Sequence, residues 1–401
     1  MPDALQRALS IDDLRRLASS RLPRFVFDFI DGGAEDEITL RRNRQDFERI
    51  ELLPRVLVDV SEPRLQTVLL GSAADAPFVI APMGSCMLAW PGADLAIARA
   101  AAALGLPYTL STMSTTALEQ VASKVDGRLW FQLYVLRDRA FTLALVDRAR
   151  AADYETLVVT VDLPTGGKRE RDLRNGISIP LRPNVRQLLD IASRPAWALR
   201  MLRQGSPQFE NVRGLLSDGG NAGLTIAAKV GQNLDASFNW DALARIRERW
   251  PRRLLVKGVQ HPQDAARLVE LGVDGIWVSN HGGRQLDGAQ SAVASLPAVV
   301  QAVAGRAEVL LDSGVRRGSD ALKAMALGAK AVAIGRAALF GAAAGGETGA
   351  RRALEILLDE LRRSMQLSGV ASVADCSPGL LAPERGPGAG RPVEGVGARP
   401  Y

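Results

Sequence analysis

From residue 77 onward the chain alternates between short apolar runs and longer amphipathic stretches. The runs are "PFVIAPM" (77–83), "PYTLST" (107–112), "LWFQLY" (129–134), "TLVVTVD" (156–162), "RLLVKG" (253–258), "GIWVSN" (275–280), "EVLLDSG" (308–314) and "AVAIG" (331–335). They are rich in Val, Ile and Leu without strict alternation, which is how strands buried on both faces read. The segments between them are mostly Ala-, Leu- and Arg-rich with helical period, as in "GADLAIARAAAALG" and "GSDALKAMALGA". Eight strand–helix units predict an α/β fold, a (β/α)8 barrel. A doubly wound sheet is the alternative; eight near-regular units favour closure.

Three regions depart from this rhythm. Residues 1–76 predict helices and then an extended arm, "LLPRVLVDV"; Ser10 followed by Asp13 reads as a helix start before "LRRLASSRL". Between the fourth and fifth runs lie residues 163–252, too long for a structureless loop in a compact domain. There "VRQLLDIASRPAWALRMLRQG" is expected to belong to an insertion at the barrel mouth, 177–214, and "NWDALARIRERW" to be the regular barrel helix. Residues 383–401 are Gly/Pro-rich and are expected to form a disordered tail. Its G-x-G spacing follows no strand and opens no helix, so it is no dinucleotide fingerprint. Residues 1–382 are expected to form a single domain.

Charge and composition narrow the partners. The net charge is +6, supplied almost entirely by arginine. Basic clusters are short and interrupted, and stacking aromatics are scarce, which argues against nucleic acid. The arginine excess reads as solvated surface. Cys86 and Cys376 are the only cysteines, far apart and outside any metal-ligand spacing; no metal site is predicted. The start "MPDALQRALSIDDLRRL" lacks the apolar core of a signal peptide, and no run approaches the roughly 18 apolar residues of a membrane span. A cytoplasmic chain is the expectation.

In such barrels the active site lies at the C-terminal ends of the strands. Hydrogen-bonding residues gather at that end here: Ser111, Gln132, Tyr134, Thr160, Asp162, Lys257, Ser279, Asn280, His281, Asp312 and Gly335-Arg336. His281 is one of two histidines in the chain. The other, His261, precedes Pro262 and reads as a helix start. Lys257 suits either a Schiff-base amine or a fixed charge beside an anionic cofactor. Asp162 could cap a helix or orient an imidazole. Tyr134 could be plain core. The seventh and eighth runs end in glycine-containing turns leading into helices, with Arg316, Arg317 and Arg336 nearby, an arrangement that cradles phosphate.

"SNHGGRQLDG", "FQLYV", "TVD…RERDLRNG", "LLVKG" and "DSGVRRGSD…ALGAKAVAIGR" resemble the FMN-dependent L-2-hydroxy acid oxidase and dehydrogenase family, over roughly residues 8–380. "RERDL", "DASFNW", "WPGADLAIARAA" and "GETG" are most similar to its mandelate and membrane-associated lactate dehydrogenase branch. The resemblance implies FMN as cofactor and oxidation of a 2-hydroxy acid to the 2-keto acid. It implies His281 as base, Asp162 as its carboxylate partner, and Arg284 and Arg169 as the substrate-carboxylate clamp. Tyr134 would hydrogen-bond the substrate oxygen, and Lys257 would be the cation beside the flavin. Ser111, Gln132, Thr160 and Ser279 would contact the ring and ribityl chain. Asp312, Ser313, Gly314, Arg316, Gly335 and Arg336 would hold the ribityl phosphate. The backbone of Ala81, Pro82, Met83 and Gly84 would face the reactive flavin edge.

Three positions depart from the family's usual pattern. Phe29 stands where a tyrosine is usual on the substrate side, and Met83 and Cys86 lie in "PMGSCMLAW" where small or polar residues are usual. Gly84 is similar to the dehydrogenases, whose electrons pass to a quinone or another acceptor, whereas many oxidases carry alanine there. An oxidase using O2 and forming H2O2 is the alternative, and a Schiff-base lyase or aldolase using Lys257 a more remote one. A homotetramer is implied by analogy alone. The basic, amphipathic stretch 184–206, with Trp197, Leu199 and Met201, suits either an ordinary lid or peripheral contact with the inner face of the cell membrane.

Overall fold

The computed structural model describes residues 2–177, 183–205, 208–213 and 231–383. The expected tail from 384 onward lies outside the described residues, as do 178–182, 206–207 and 214 of the insertion. Eight parallel strands close into a barrel: β1 (Phe78–Ile80), β2 (Tyr108–Ser111), β3 (Leu129–Tyr134), β4 (Thr156–Thr160), β5 (Arg253–Val259), β6 (Gly275–Val278), β7 (Glu308–Leu311) and β8 (Ala331–Ile334). Each pairs with its neighbours in chain order, and β8 closes on β1 through Val332 opposite Phe78.

The absence of strict alternation now has its cause. Phe131, Leu157 and Val256 point outward into the helical layer, while Trp130, Val158 and Leu255 point inward. Inside, Trp130 meets Trp277 edge-on at 6.5 Å, and the opposite wall is small, Ala331 and Ala333. The N-terminal mouth is plugged by an antiparallel ribbon, Thr67–Leu69 with Ser72–Ala74, which sequence reading left in the extended arm. Leu69 and Leu70 enter the inner core; Arg128 Nη2 donates to Leu69 O at 2.7 Å, and Glu308 accepts from Leu70 N–H at 2.9 Å.

The helical N-terminus covers the opposite, C-terminal mouth. Ser10 caps Ile11–Arg21 by accepting from Asp13 N–H at 3.1 Å, as expected. Arg24–Asp31 follows, with Phe29 and Ile30 in the lining of the site, and then Ile38–Arg49, which braces the loop after β6. His261 caps the Pro262–Glu270 helix, and Asn239 starts the expected barrel helix at Trp240–Arg249.

The insertion contains two helices, Val185–Ala192 and Pro195–Gln204. Of the three apolar residues singled out there, Trp197 and Met201 are buried, and Trp197 Nε1 donates to Leu88 O at 2.8 Å while its ring meets Phe25 edge-on. They anchor the insertion. Among the described residues, its exposed large apolar side chains are Val185, Leu188, Leu189, Leu199 and Leu202. Among the described residues, no helix is long and apolar enough to cross a membrane.

Candidate active site

The loop after β6 carries His281. His281 adopts a left-handed backbone, φ 57°, which an L-residue holds only when its surroundings fix it. Its N–H donates to Ser279 Oγ at 3.0 Å, and Gly282 N–H donates to Ser313 Oγ at 3.0 Å. A reciprocal amide pair ties the loop to the Ile38–Arg49 helix: Asn280 Nδ2 donates to Asn43 Oδ1 at 2.7 Å and Asn43 Nδ2 to Asn280 Oδ1 at 2.9 Å.

So held, His281 places Nδ1 3.1 Å from Asp162 Oδ1 and Nε2 3.3 Å from Tyr134 Oη. Asp162 can come this close because Gly258, at a register shift in β5 with φ 101°, has no side chain; a Cβ there would stand 2.6 Å from Asp162 Cβ. Burial pushes the His281 pKa below its ordinary value, and the Asp162 carboxylate offsets only part of that. Burial would raise the Asp162 pKa, but the charge and hydrogen bond of His281, with Lys257, hold it below the usual carboxylate range. Burial, with the Asp162 charge, keeps the Tyr134 phenol protonated. The resting arrangement is a neutral imidazole whose Nδ1–H faces a carboxylate, leaving Nε2 as the acceptor.

Across the cavity stand Arg169 and Arg284. Arg284 Nη1 donates to the carbonyls of Phe29 and Gly32, at 2.9 and 2.8 Å. Arg169 lies 3.5 Å from Asp172, and its buried Nε has no hydrogen-bond partner. Burial lowers both guanidinium pKa values, Arg284 strongly, with Arg169 and Arg336 adding repulsion there. Buried cations so poor in carboxylate partners form a site prepared for an anion.

The neighbouring wall fits a flavin phosphate. Gln132 Nε2 and Thr160 Oγ1, on strands β3 and β4, are buried without hydrogen-bond partners. Lys257 Nζ donates to Ser279 Oγ at 2.8 Å and lies 3.1 Å from Asp312. Further out, Arg316 hydrogen-bonds its own loop at Val315 O, and burial drops its pKa to about 9. Arg336 donates to Ile30, Gly282 and Gly32 carbonyls, and burial drops it to about 10. Both remain charged at neutral pH, and Gly335 opens the Arg336–Ser368 helix beside them. Gly314, φ 101°, passes so near Asn43 O that a Cβ would stand 2.3 Å away.

One cavity gathers most of the residues expected from sequence. It is lined by Phe29, Ala81, Pro82, Met83, Gly84, Ser111, Tyr134, Arg169, Lys257, His281, Arg284, Asp312, Ser313, Gly314, Arg316, Gly335 and Arg336. Asp162, Gln132 and Ser279 stand one step behind the wall, each hydrogen-bonded to a lining residue, and Thr160 lines a neighbouring cavity with Val161 and Leu163. Cys86 is buried behind Met83, its thiol donating to Met83 O. Arg317 faces away and pairs with Glu360. Sequence reading missed Met113, Leu163 and Gln285 in the lining, and Asn43 as a support. Gln285 lay inside a quoted motif; Asn43 had no local signal, since its partner is 237 residues away.

A closed barrel with a carboxylate-paired imidazole, buried arginines and glycine-bordered loops at its C-terminal mouth has the chemistry of a cofactor-dependent enzyme site. A family model described as FMN-dependent dehydrogenase matches residues 18–383, and the chain belongs to that family. It is 42% identical to (S)-mandelate dehydrogenase of Pseudomonas putida, over 94% of this chain and 95% of that protein. It is 43% identical to L-lactate dehydrogenase of Pseudomonas aeruginosa, over 93% of this chain and 98% of that one. A crystal structure of the monotopic membrane protein (S)-mandelate dehydrogenase superposes with a TM-score of 0.88 at 41% identity, covering 94% of this chain and all of that one.

Proposed function

We propose that this enzyme oxidises an L-2-hydroxy acid, mandelate- or lactate-like, to the 2-keto acid and passes the electrons to a quinone or another acceptor. One observation carries the reading: His281 Nε2 and Tyr134 Oη meet at 3.3 Å in the same cavity as Arg169 and Arg284. A carboxylate seated on those two guanidiniums brings the adjacent hydroxyl and Cα toward the imidazole, which accomplishes the positioning part of catalysis. Bound FMN supplies the two-electron acceptor. Gln132, Thr160 and Ser111 would meet its ring, and Asp312, Ser313, Gly314, Arg316 and Arg336 its ribityl phosphate.

His281 takes the proton at Nε2, and Asp162 stabilises the imidazolium that results. Tyr134 stays protonated and donates to the substrate oxygen. Lys257 holds a fixed positive charge under the cofactor site; its ion pair with Asp312 suits that role better than a free amine nucleophile for an aldolase. Phe29 closes the substrate side without a hydroxyl. The same reading places the enzyme in the cytoplasm as a homotetramer, touching the inner face of the membrane through 184–206.

The test is anaerobic. The purified, yellow protein should be bleached by mandelate, lactate or a close relative from a panel of 2-hydroxy acids. Recolouring by a quinone analogue faster than by oxygen separates dehydrogenase from oxidase. A colourless protein that takes up no FMN defeats the proposal.

A further inference from the structure

The Phe29 side chain touches both arginines of the anion clamp. The guanidinium carbon of Arg169 lies 5.6 Å from the ring centroid, and that of Arg284 lies 5.4 Å from the same centroid. The ring is buried, at 7% exposure, on the last turn of the Arg24–Asp31 helix. Its own carbonyl accepts from Arg284 Nη1. Little else neutralises this pair. Among the described residues, Asp172 is the one carboxylate within ion-pair reach of Arg169, and it stands 3.5 Å off; Arg284 has only carbonyls.

Two like charges so placed repel, and each would gain by swinging toward water or a carboxylate. An aromatic face is the alternative partner: it attracts a cation electrostatically, more strongly where water is excluded, and takes up no in-plane N–H group. The guanidinium N–H groups other than those of Arg284 Nη1, which serves Phe29 O and Gly32 O, stay free for an incoming carboxylate.

We propose that Phe29 is a positioning residue, an aromatic wedge whose ring holds Arg169 and Arg284 in their carboxylate-binding geometry before substrate arrives. This rests on the proposed carboxylate role of the two arginines. It assigns to the ring of Phe29 a task separate from the hydroxyl it lacks. The ring and the carbonyl are separable, because a substitution at position 29 leaves Phe29 O in place. A leucine keeps apolar volume and loses the π face; a tyrosine keeps the π face.

The experiment compares wild type, Phe29→Leu and Phe29→Tyr as FMN-loaded enzymes. Oxalate binding is read from the flavin spectrum, and KM and kcat from turnover of the best 2-hydroxy acid. Phe29→Leu should weaken oxalate and raise KM about ten-fold, with kcat within about two-fold, whereas Phe29→Tyr stays within about three-fold of wild type on both. Where Phe29→Leu fails to fold, Phe29→Met takes its place. Equal oxalate affinity in wild type and Phe29→Leu overturns the proposal, as does an equal loss in Phe29→Tyr. A wild type that binds oxalate but is bleached by no 2-hydroxy acid overturns the functional reading instead, and the oxalate comparison still decides the role of Phe29.

Discussion

A base in the interior must be neutral before it acts and charged afterward, and the surroundings of the proposed base, His281, suit both. Burial lowers its pKa from the ordinary 6.5, so the neutral form persists to more acid pH than for a free histidine. The expected kcat/KM is flat near neutrality and falls only as the pH drops through that lowered value; an acid limb centred above 6.5 contradicts the assignment. Asp162 is what keeps the pKa from falling further. Asp162→Asn should move the limb toward lower pH and cut kcat about a hundred-fold, because the imidazolium loses its carboxylate. His281→Asn should cost about 10^2–10^4 in kcat/KM with oxalate affinity within a few-fold of wild type. Pre-steady-state flavin reduction across pH measures both. His281 was legible because histidine is so rare here and its loop ends an apolar run. Asp162 stood between two readings until β4 and β5 set it against Nδ1, and the double contact of Phe29 had no trace in one dimension.

At the scale of elements, the loop 279–288 works as a bracket between the barrel and the N-terminal helices. Asp287 caps the Ile38–Arg49 helix from outside, accepting from Thr39 N–H at 2.7 Å, where Glu37, the preceding residue, has a left-handed backbone and provides no side-chain cap. The Asn43–Asn280 pair closes the same joint. Asn43→Ala should destabilise the protein by about 1–3 kcal/mol, since it strands a buried amide. Asp287→Ala should cost about 1 kcal/mol, the usual value of a lost helix cap. Urea titration of the FMN-loaded protein reads both, and equal stability of Asn43→Ala and wild type would show the clasp to be idle. On the cofactor side, Arg316→Ala should weaken FMN binding about ten- to a hundred-fold, as expected for a charge-assisted contact to phosphate. Dialysis against graded FMN measures it. Motif spacing revealed which loops carry chemistry, but pairings across more than two hundred residues depend on how the chain closes.

For the whole molecule, the barrel was legible because eight apolar runs, each buried on both faces, could be counted along the chain. The bottom plug was not, since a six-residue ribbon carries too little pattern to separate from an arm. The insertion was legible as helices but not in its orientation, because amphipathicity alone does not say which face meets protein. Trp197 and Met201 face inward. Val185 at 74%, Leu189 at 70% and Leu202 at 82% exposure, with Leu188 and Leu199, face out, and Arg186 and Arg203 are exposed beside them. Apolar side chains flanked by arginines suit an anionic bilayer, with the carbon groups entering the headgroup boundary and the cations at the phosphates. Deleting 184–206 would also remove Trp197 from the core and confound stability with binding, so point substitutions are the cleaner probe. The triple change Leu188→Ser, Leu189→Ser and Leu202→Ser should leave flavin content and melting temperature near wild type. It should reduce co-sedimentation with phosphatidylglycerol vesicles by more than about ten-fold, since each fully buried leucine is worth roughly 1.5–3 kcal/mol. Raising the salt should weaken the wild type only in part, because screening removes the arginine attraction and leaves the apolar contact. Vesicle binding undiminished by the triple substitution would place any membrane contact elsewhere on the molecule.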